Sequence, residues 1–316
     1  MAIIVNCDAK GKQRMQAIEI NKLTKNYGRV RGIADLSLQV EEGAFFGFIG
    51  PNGAGKSTTI RTLLGFIRPS AGSATVFGRD IVRESEEIRA LTGYLPSEAQ
   101  FHHGMKVRDI LKLSAALRGA DCHAEASLLC ERLQLDVTRK AEDLSFGNRK
   151  KVAIVCALQH KPKLLILDEP TSGLDPLMQH AFFEIIRERH AEGATVFLSS
   201  HILSEIEHNC TKAAIIREGT VIAHDAVSAL AGKKARRVTL RGDVRAALQE
   251  ELQTLSGVRD FHGFSPSAEK EHASDSIHFL FDGKTAELLQ MLAASGVQDV
   301  TIAEPDLEEI FMHYYE

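Results

Sequence analysis

The stretch Gly50-Pro51-Asn52-Gly53-Ala54-Gly55-Lys56-Ser57-Thr58 constrains this chain more than any other. It satisfies the pattern GxxxxGK[ST]. An apolar run, Phe45–Ile49, precedes it, and a helix-length segment, residues 56–66, follows. A strand, a glycine-rich loop and a helix in that order make a phosphate cradle. The glycines let the backbone come close and turn successive N–H groups inward. The helix N-terminus adds a partial positive charge. On this pattern Lys56 reaches the β- and γ-phosphates of a nucleotide, Ser57 ligates Mg²⁺ and Thr58 bonds a nearer phosphate. A glycine-rich turn with a surface lysine is the plainer alternative, and both flanks argue against it.

A metal-bound nucleotide needs a second motif. Leu164-Leu165-Ile166-Leu167-Asp168-Glu169 is an apolar strand ending in two carboxylates. Acids at the carboxyl end of a parallel strand stand where α/β sheets bind ligands. Asp168 is the expected metal holder, and Glu169 the residue that orients or deprotonates attacking water.

Short apolar runs recur at 44–49, 164–167 and 194–199, with helix-length segments such as 56–66 and 148–159 between them. That alternation reads as α/β with a largely parallel sheet. The character changes after Gly232. Residues 233–316 carry 9 basic and 15 acidic side chains, against 29 and 27 in residues 1–232. The tail reads as strand 238–240, helix 244–255, strands 258–264 and 277–281, helix 285–294 and strand 297–302. This is the βαββαβ order of a split-βαβ, ferredoxin-like unit. A last helix over 306–314 is expected, with Asp306 in its first turn. The expected domains are thus 1–232 and 233–316.

Further motifs carry a resemblance. Leu144-Ser145-Phe146-Gly147-Asn148 resembles the signature of ABC ATPases, and Pro170-Thr171-Ser172-Gly173-Leu174-Asp175 resembles their D-loop. His201, after Ser199-Ser200, resembles the switch histidine. Tyr27, in Asn26-Tyr27-Gly28, resembles the aromatic residue that stacks on adenine. The resemblance spans residues 18–232 and implies a P-loop NTPase of the ABC ATPase type. It also implies head-to-tail dimers that sandwich two ATP molecules. Ser145 and Gly147 of one copy then contact the γ-phosphate held by Lys56 of the other, as donors supplied in trans. Asp175 joins the same set. Lys56, Glu169 and His201 take the catalytic roles.

The chain departs from the family pattern twice. Phe146 and Asn148 stand where glycine and glutamine are usual, yet the serine and second glycine remain. The glutamine of the Q-loop is missing: Gly93-Tyr94-Leu95-Pro96 leads to Ser97 and Glu98. Glu98 is the candidate for the metal and water contact, with Ser97 as the alternative. A carboxylate binds Mg²⁺ but cannot donate a hydrogen bond as an amide does.

The finer resemblance is to ATP-binding subunits of ABC-2 type exporters. It rests on residues 93–96, 148–151 and 175–179 and on the ending Asp306-Leu307-Glu308-Glu309-Ile310-Phe311-Met312-His313-Tyr314. The partners it implies are a membrane permease and a second ATPase subunit, expected to be an identical copy. It implies work on the cytoplasmic face of the cell membrane, with residues 101–117 meeting the permease.

Composition sets limits consistent with this. The longest stretch free of charge is 13 residues, 43–55, too short for a spanning helix. The pore is therefore expected in another chain. The N-terminus shows no secretory signal. Cys7, Cys122, Cys130, Cys156 and Cys210 are scattered, so neither disulfides nor zinc are expected. The net charge of −4 gives no nucleic-acid footprint. His102 and His103 read as a solvated pair, and His262, His272 and His278 in the acidic tail as surface residues. A soluble ABC ATPase acting on nucleic acid or the ribosome is the alternative class. Only 89 positions separate Lys56 from Ser145, which leaves no room for the long coiled coils of repair-type members, and there is one cassette rather than two.

Overall fold

The structure, a computed structural model, describes residues 15–28, 30–230, 236–241, 246–262, 276–293, 295 and 297–303. The chain divides into two units, Met1–Val227 and Ser228–Glu316. Cys7, Gly232, His272 and the expected helix 306–314 lie outside the described residues.

The first unit opens with β1 (Gln16–Tyr27), β2 (Val30–Glu41), β3 (Phe45–Ile49), α1 (Lys56–Leu63), β4 (Ala71–Val76) and β5 (Arg79–Asp80). It continues through α2 (Ser85–Leu91), β6 (Thr92–Leu95), α3 (Val107–Ala116), α4 (His123–Arg132), α5 (Phe146–Leu158) and β7 (Leu164–Asp168). Then come α6 (Pro176–Ala191), β8 (Thr195–Ser200), α7 (Leu203–Asn209), β9 (Lys212–Arg217) and β10 (Thr220–Ala226), and the short α8 (Val227–Leu230) straddles the boundary between the units. Six strands form one sheet in the order β10-β9-β3-β8-β7-β6. All neighbours pair in parallel except β9 and β10, which form an antiparallel hairpin at the edge. β3, β7 and β8 are buried at every position. Strands covered on both faces read as continuous apolar runs, which is why the sequence exposes them so directly.

A second sheet, antiparallel, has the order β2-β1-β4-β5. It has no counterpart in the sequence reading. β1 is buried at Ala17, Ile18, Ile20 and Leu23 without strict alternation, and its register shifts break the two-residue period. One core joins both sheets and α1, with Ile18, Leu36, Phe48, Ile60, Leu63, Ile166 and Phe197 among its members. Phe197 stacks on Phe46 and tilts against Phe48, at centroid distances of 6.0 and 5.3 Å. That packing fixes β3 against β8, and so fixes the loop that leaves β3.

The second unit runs β11 (Arg236–Arg241), α9 (Ala246–Thr254), β12 (Val258–His262), β13 (Ser276–Phe281), α10 (Thr285–Ala293) and β14 (Asp299–Ala303). Its sheet is antiparallel in the order β12-β13-β11-β14. With the strands counted within the unit, this is the fourth-first-third-second arrangement of a ferredoxin-like fold. Val238, Leu240, Ile277, Phe279 and Phe281 on the sheet pack with Leu252, Leu288 and Leu292 on the helices.

Candidate active site

Parallel pairing carries three chain segments to one edge of the six-stranded sheet. Ile49, ending β3, pairs with Ser200, ending β8, and Asp168, ending β7, pairs with Ser199. The loop 50–55, the acidic pair and His201 therefore leave the sheet side by side at its carboxyl end. The loop closes onto α1 through Gly55, the N-cap, at φ +107°. A Cβ there would stand 2.7 Å from the Gly32 carbonyl oxygen, so only glycine fits.

Tyr27, Pro51, Asn52, Gly53, Gly55, Lys56, Ser57, Thr58 and Glu169, all nominated from the sequence, line one cavity of about 290 Å³. Gly50 opens the same loop, and Ala54 is buried beneath it. Tyr27 is 46 % exposed at the rim, with the Lys25 ammonium 5.3 Å from its ring centroid. Lys56 is buried; its Nζ donates to Gly50 O at 2.6 Å and Pro51 O at 3.2 Å and lies 3.4 Å from Glu169 Oε1. The same Oε1 stands 3.3 Å from His201 Nδ1.

Asp168 is 1 % exposed, and both its carboxylate oxygens are buried with no hydrogen-bond partner. Burial pushes its pKa up. The Ser57 and Ser199 hydroxyls and the Lys56 charge oppose that shift, but the hydroxyls stop short of hydrogen-bond geometry. A buried carboxylate with two orphaned oxygens is a donor set that a divalent cation completes. Among the described residues no group of three His, Cys, Asp or Glu side chains could hold a metal alone. A cation at Asp168 would draw its other ligands from Ser57, phosphate and water, as Mg²⁺ usually does.

Three nominated residues stand apart from this cavity. Ser145 is exposed and caps α5, accepting from the Asn148 N–H at 3.3 Å. Gly147 lies beside it in the first turn of α5. Asp175 caps α6, accepting from the Met178 N–H at 3.0 Å, and is followed by Pro176 at the first helical position. Glu98 is also apart: it is exposed and lines a different cavity of about 330 Å³, with Phe101, Glu142, Phe146 and Arg149. His103 is almost fully exposed, 3.3 Å from Glu142 Oε2, as a solvated histidine would be. Cys122, Cys130, Cys156 and Cys210 are all free thiols.

Several residues of the site carried no sequence signal. Gly32 walls the cavity from β2. Glu205, 8 % exposed, accepts from Thr171 Oγ1 and, at 2.7 Å, from Ser200 Oγ, which joins the segment after Glu169 to the end of β8. Burial pushes its pKa up. Lys150 is buried, although it stands between Arg149 and Lys151 in a run of three basic residues.

Comparison with known proteins identifies the family of the chain. The family model described as "ABC transporter" matches residues 33–172. The Nod factor export ATP-binding protein I of Cupriavidus pinatubonensis (strain JMP 134 / LMG 1197) is 33% identical over 305 residues, 93% of this chain and 89% of that one. The bacitracin transport ATP-binding protein BcrA of Bacillus licheniformis is 32% identical over 306 residues, 93% of this chain and 96% of that one. A solved ATP-binding subunit of an ABC transporter superposes with a TM-score of 0.64 at 31% identity, covering 69% of this chain and 92% of its own.

Proposed function

This chain belongs to the ABC transporter family as an ATP-binding subunit, and from that premise we propose that it is the ATP-hydrolysing motor of an exporter whose membrane permease is a separate chain. The observation that carries the reading is the Glu169 carboxylate, 3.4 Å from Lys56 and 3.3 Å from His201 above a glycine-rich phosphate loop. No helix among the described residues is long and apolar enough to cross a membrane. Transport work on this reading needs a membrane partner, with this chain on the cytoplasmic face. Residues 101–117 meet that partner; within them Leu113 and Leu117 are 45 and 80 % exposed.

The roles follow from chemistry. ATP lies with its adenine on Tyr27 and its phosphates along the N–H groups of Gly50, Pro51, Asn52, Gly53, Ala54 and Gly55. Lys56 sets a point charge against the β- and γ-phosphates, and Thr58 bonds a nearer one. Asp168 and Ser57 would hold Mg²⁺; the further contact would come from Ser97, or from Glu98 if that side chain leaves the separate cavity it lines. When bound, that ion neutralises charge on the phosphate oxygens. Glu169 orients the attacking water and takes its proton. His201, within reach of Glu169, fixes that carboxylate and approaches the γ-phosphate.

Ser145, Gly147 and Asp175 lie outside the cavity of their own chain, which supports completion in trans by a second, identical copy. ATP then closes the pair, and hydrolysis lets it reopen. The names of the relatives, for export and for transport, favour this over a motor acting on nucleic acid or the ribosome.

Glu169→Gln tests the reading. ATP binding should persist, turnover should fall by about 100-fold or more, and ATP should trap a dimer resolved by size-exclusion chromatography. Unchanged hydrolysis would remove Glu169 from the role of base. Co-purification from membranes with an integral permease is the expected partner result; recovery on ribosomes or DNA instead would overturn the transport assignment.

A further inference from the structure

One buried charge is used by neither the core nor the chemistry above. Lys150 lies in the second turn of α5 and is 2 % exposed. Its Nζ donates to three backbone carbonyls, Pro96 O, Ser97 O and Glu169 O, each at 2.9 Å. An ammonium has three protons, so the set uses all of them. If the position served packing alone, a methionine would fill it without the cost of burying charge. What the ammonium adds is a tie among three segments. These are α5, which begins after Ser145; the turn after β6 that leads to Glu98; and the residue that follows β7.

The tie matters most at Glu169. That residue sits at φ +47°, in the left-handed region. Such a conformation persists in a non-glycine residue only where its surroundings over-determine it. Here the Glu169 N–H donates to Ser199 O at 2.9 Å, and the Glu169 carbonyl accepts from Lys150. One anchor comes from β8 and the shorter carbonyl anchor from α5; the Ser172 N–H, in the following turn, donates to the same carbonyl at a longer 3.4 Å. Together they fix the two peptide planes around the Glu169 Cα, and so the direction in which its side chain leaves the backbone. Burial pushes the Lys150 pKa down to about 8, with Asp168, Glu169, Glu205 and Glu98 opposing the shift. Three donations to carbonyls require the ammonium form, since a neutral amine has only two protons.

We infer that Lys150 is a positioning residue for ATP hydrolysis: by holding the Glu169 carbonyl it aims the Glu169 carboxylate, and it makes that aim depend on the signature helix α5. The inference rests on the reading of Glu169 as the residue that activates water. It has a consequence for a dimer. Ser145 and Gly147 begin the helix that carries Lys150, so engagement of the second copy's nucleotide by α5 is felt at this copy's own Glu169. Each site is informed that its signature is occupied.

The test uses the full chain with Lys150→Met, which keeps length and loses the donors, and Lys150→Arg, which keeps the charge. Nucleotide Kd is read with a fluorescent ATP analogue and kcat by phosphate release. Both substitutions are repeated in the Glu169→Gln background, where residual hydrolysis is followed in single turnover. A misplacement of about 1 Å at a reacting group costs on the order of 100-fold, so Lys150→Met should lower kcat at least about tenfold. Kd should stay within about twofold, because the phosphate loop is untouched, and Lys150→Arg should recover kcat to within about threefold. Groups that act as a unit are not additive, so Lys150→Met should slow the Glu169→Gln variant by less than about twofold. Wild-type kcat in Lys150→Met, no rescue by arginine, or a full multiplicative loss in the double variant would each overturn the inference. If Lys150→Met does not fold, Lys150→Gln, which retains a shorter donor, carries the same expectations. Wild-type turnover in Glu169→Gln alone overturns the reading of the base; an inactive Glu169→Gln beside an active Lys150→Met overturns only the role of Lys150.

Discussion

Replacing Gly173 by alanine probes how the signature helix is joined to the segment after Glu169. Gly173 has φ +80°, and a Cβ built there falls 2.1 Å from Phe146 Cδ1 and 2.3 Å from Cε1. Two costs follow. Alanine in the left-handed region is disfavoured by about 1–2 kcal/mol. The clash is met by an aromatic side chain that is 40 % exposed, not by the buried core. Its cost is therefore lost contact rather than core strain. About 40 Å² of apolar surface returned to water at about 25 cal/mol/Å² is about 1 kcal/mol. The sum is about 2–3 kcal/mol, and at about 2–4 °C per kcal/mol for a unit of this size the melting temperature should fall by about 4–12 °C. Phe146→Ala alone should cost about 1 kcal/mol and remove the obstacle, leaving only the backbone cost for a second substitution. The double variant should then be more stable than the sum of the singles by about 1 kcal/mol. Circular-dichroism melts of the four proteins at one scan rate make the measurement. A Gly173→Ala melt within about 1 °C of wild type, or strict additivity, would refute the packing of Phe146 on Gly173 as the source of the constraint.

Two further outcomes are expected. Lys56→Ala should weaken ATP binding by about 100-fold or more, read by titration of a fluorescent analogue, and wild-type affinity would contradict the phosphate-loop assignment. Burial pushes His160 down from 6.5 to about 4, with the Arg118 charge adding to the shift. Because the folded state refuses this proton, the His160 contribution to stability is complete above about pH 6.5 and is lost as pH falls toward about 4, by up to about 3 kcal/mol. His160→Phe should flatten that part of the acid limb in denaturant titrations, and an unchanged limb would assign it to other groups.

Much of the site is legible in the chain because its requirements are local. A loop that wraps phosphate needs glycines at fixed offsets, and a strand covered on both faces needs an unbroken apolar run. So β3, β7 and β8 fall within a residue of the runs that foretell them, and α1 begins at Lys56 as expected. The signature is legible as a pattern, but α5 starts at Phe146 rather than Asn148, because Ser145 rather than a later residue supplies the cap. The antiparallel sheet β2-β1-β4-β5 is illegible for the opposite reason. Its register shifts scramble the period on which recognition of a strand depends.

What the sequence by itself determined is the set of chemical parts: the loop from Gly50 to Thr58, the acidic end of β7, the histidine after β8 and the cap of α5. Only the tertiary structure decided which parts meet. The order β3-β8-β7 brings Lys56 and His201 each within 3.4 Å of the Glu169 carboxylate, and parallel pairing between distant strands leaves no mark in local sequence. The fold also decided that Glu98 faces a separate cavity. In the basic run Arg149-Lys150-Lys151, it decided that the middle side chain alone would be fully buried. Three adjacent lysine and arginine residues are alike to any local rule. Burial is set by what packs against the helix, and the carbonyls that accept from Lys150 come from residues 53, 54 and 19 positions away.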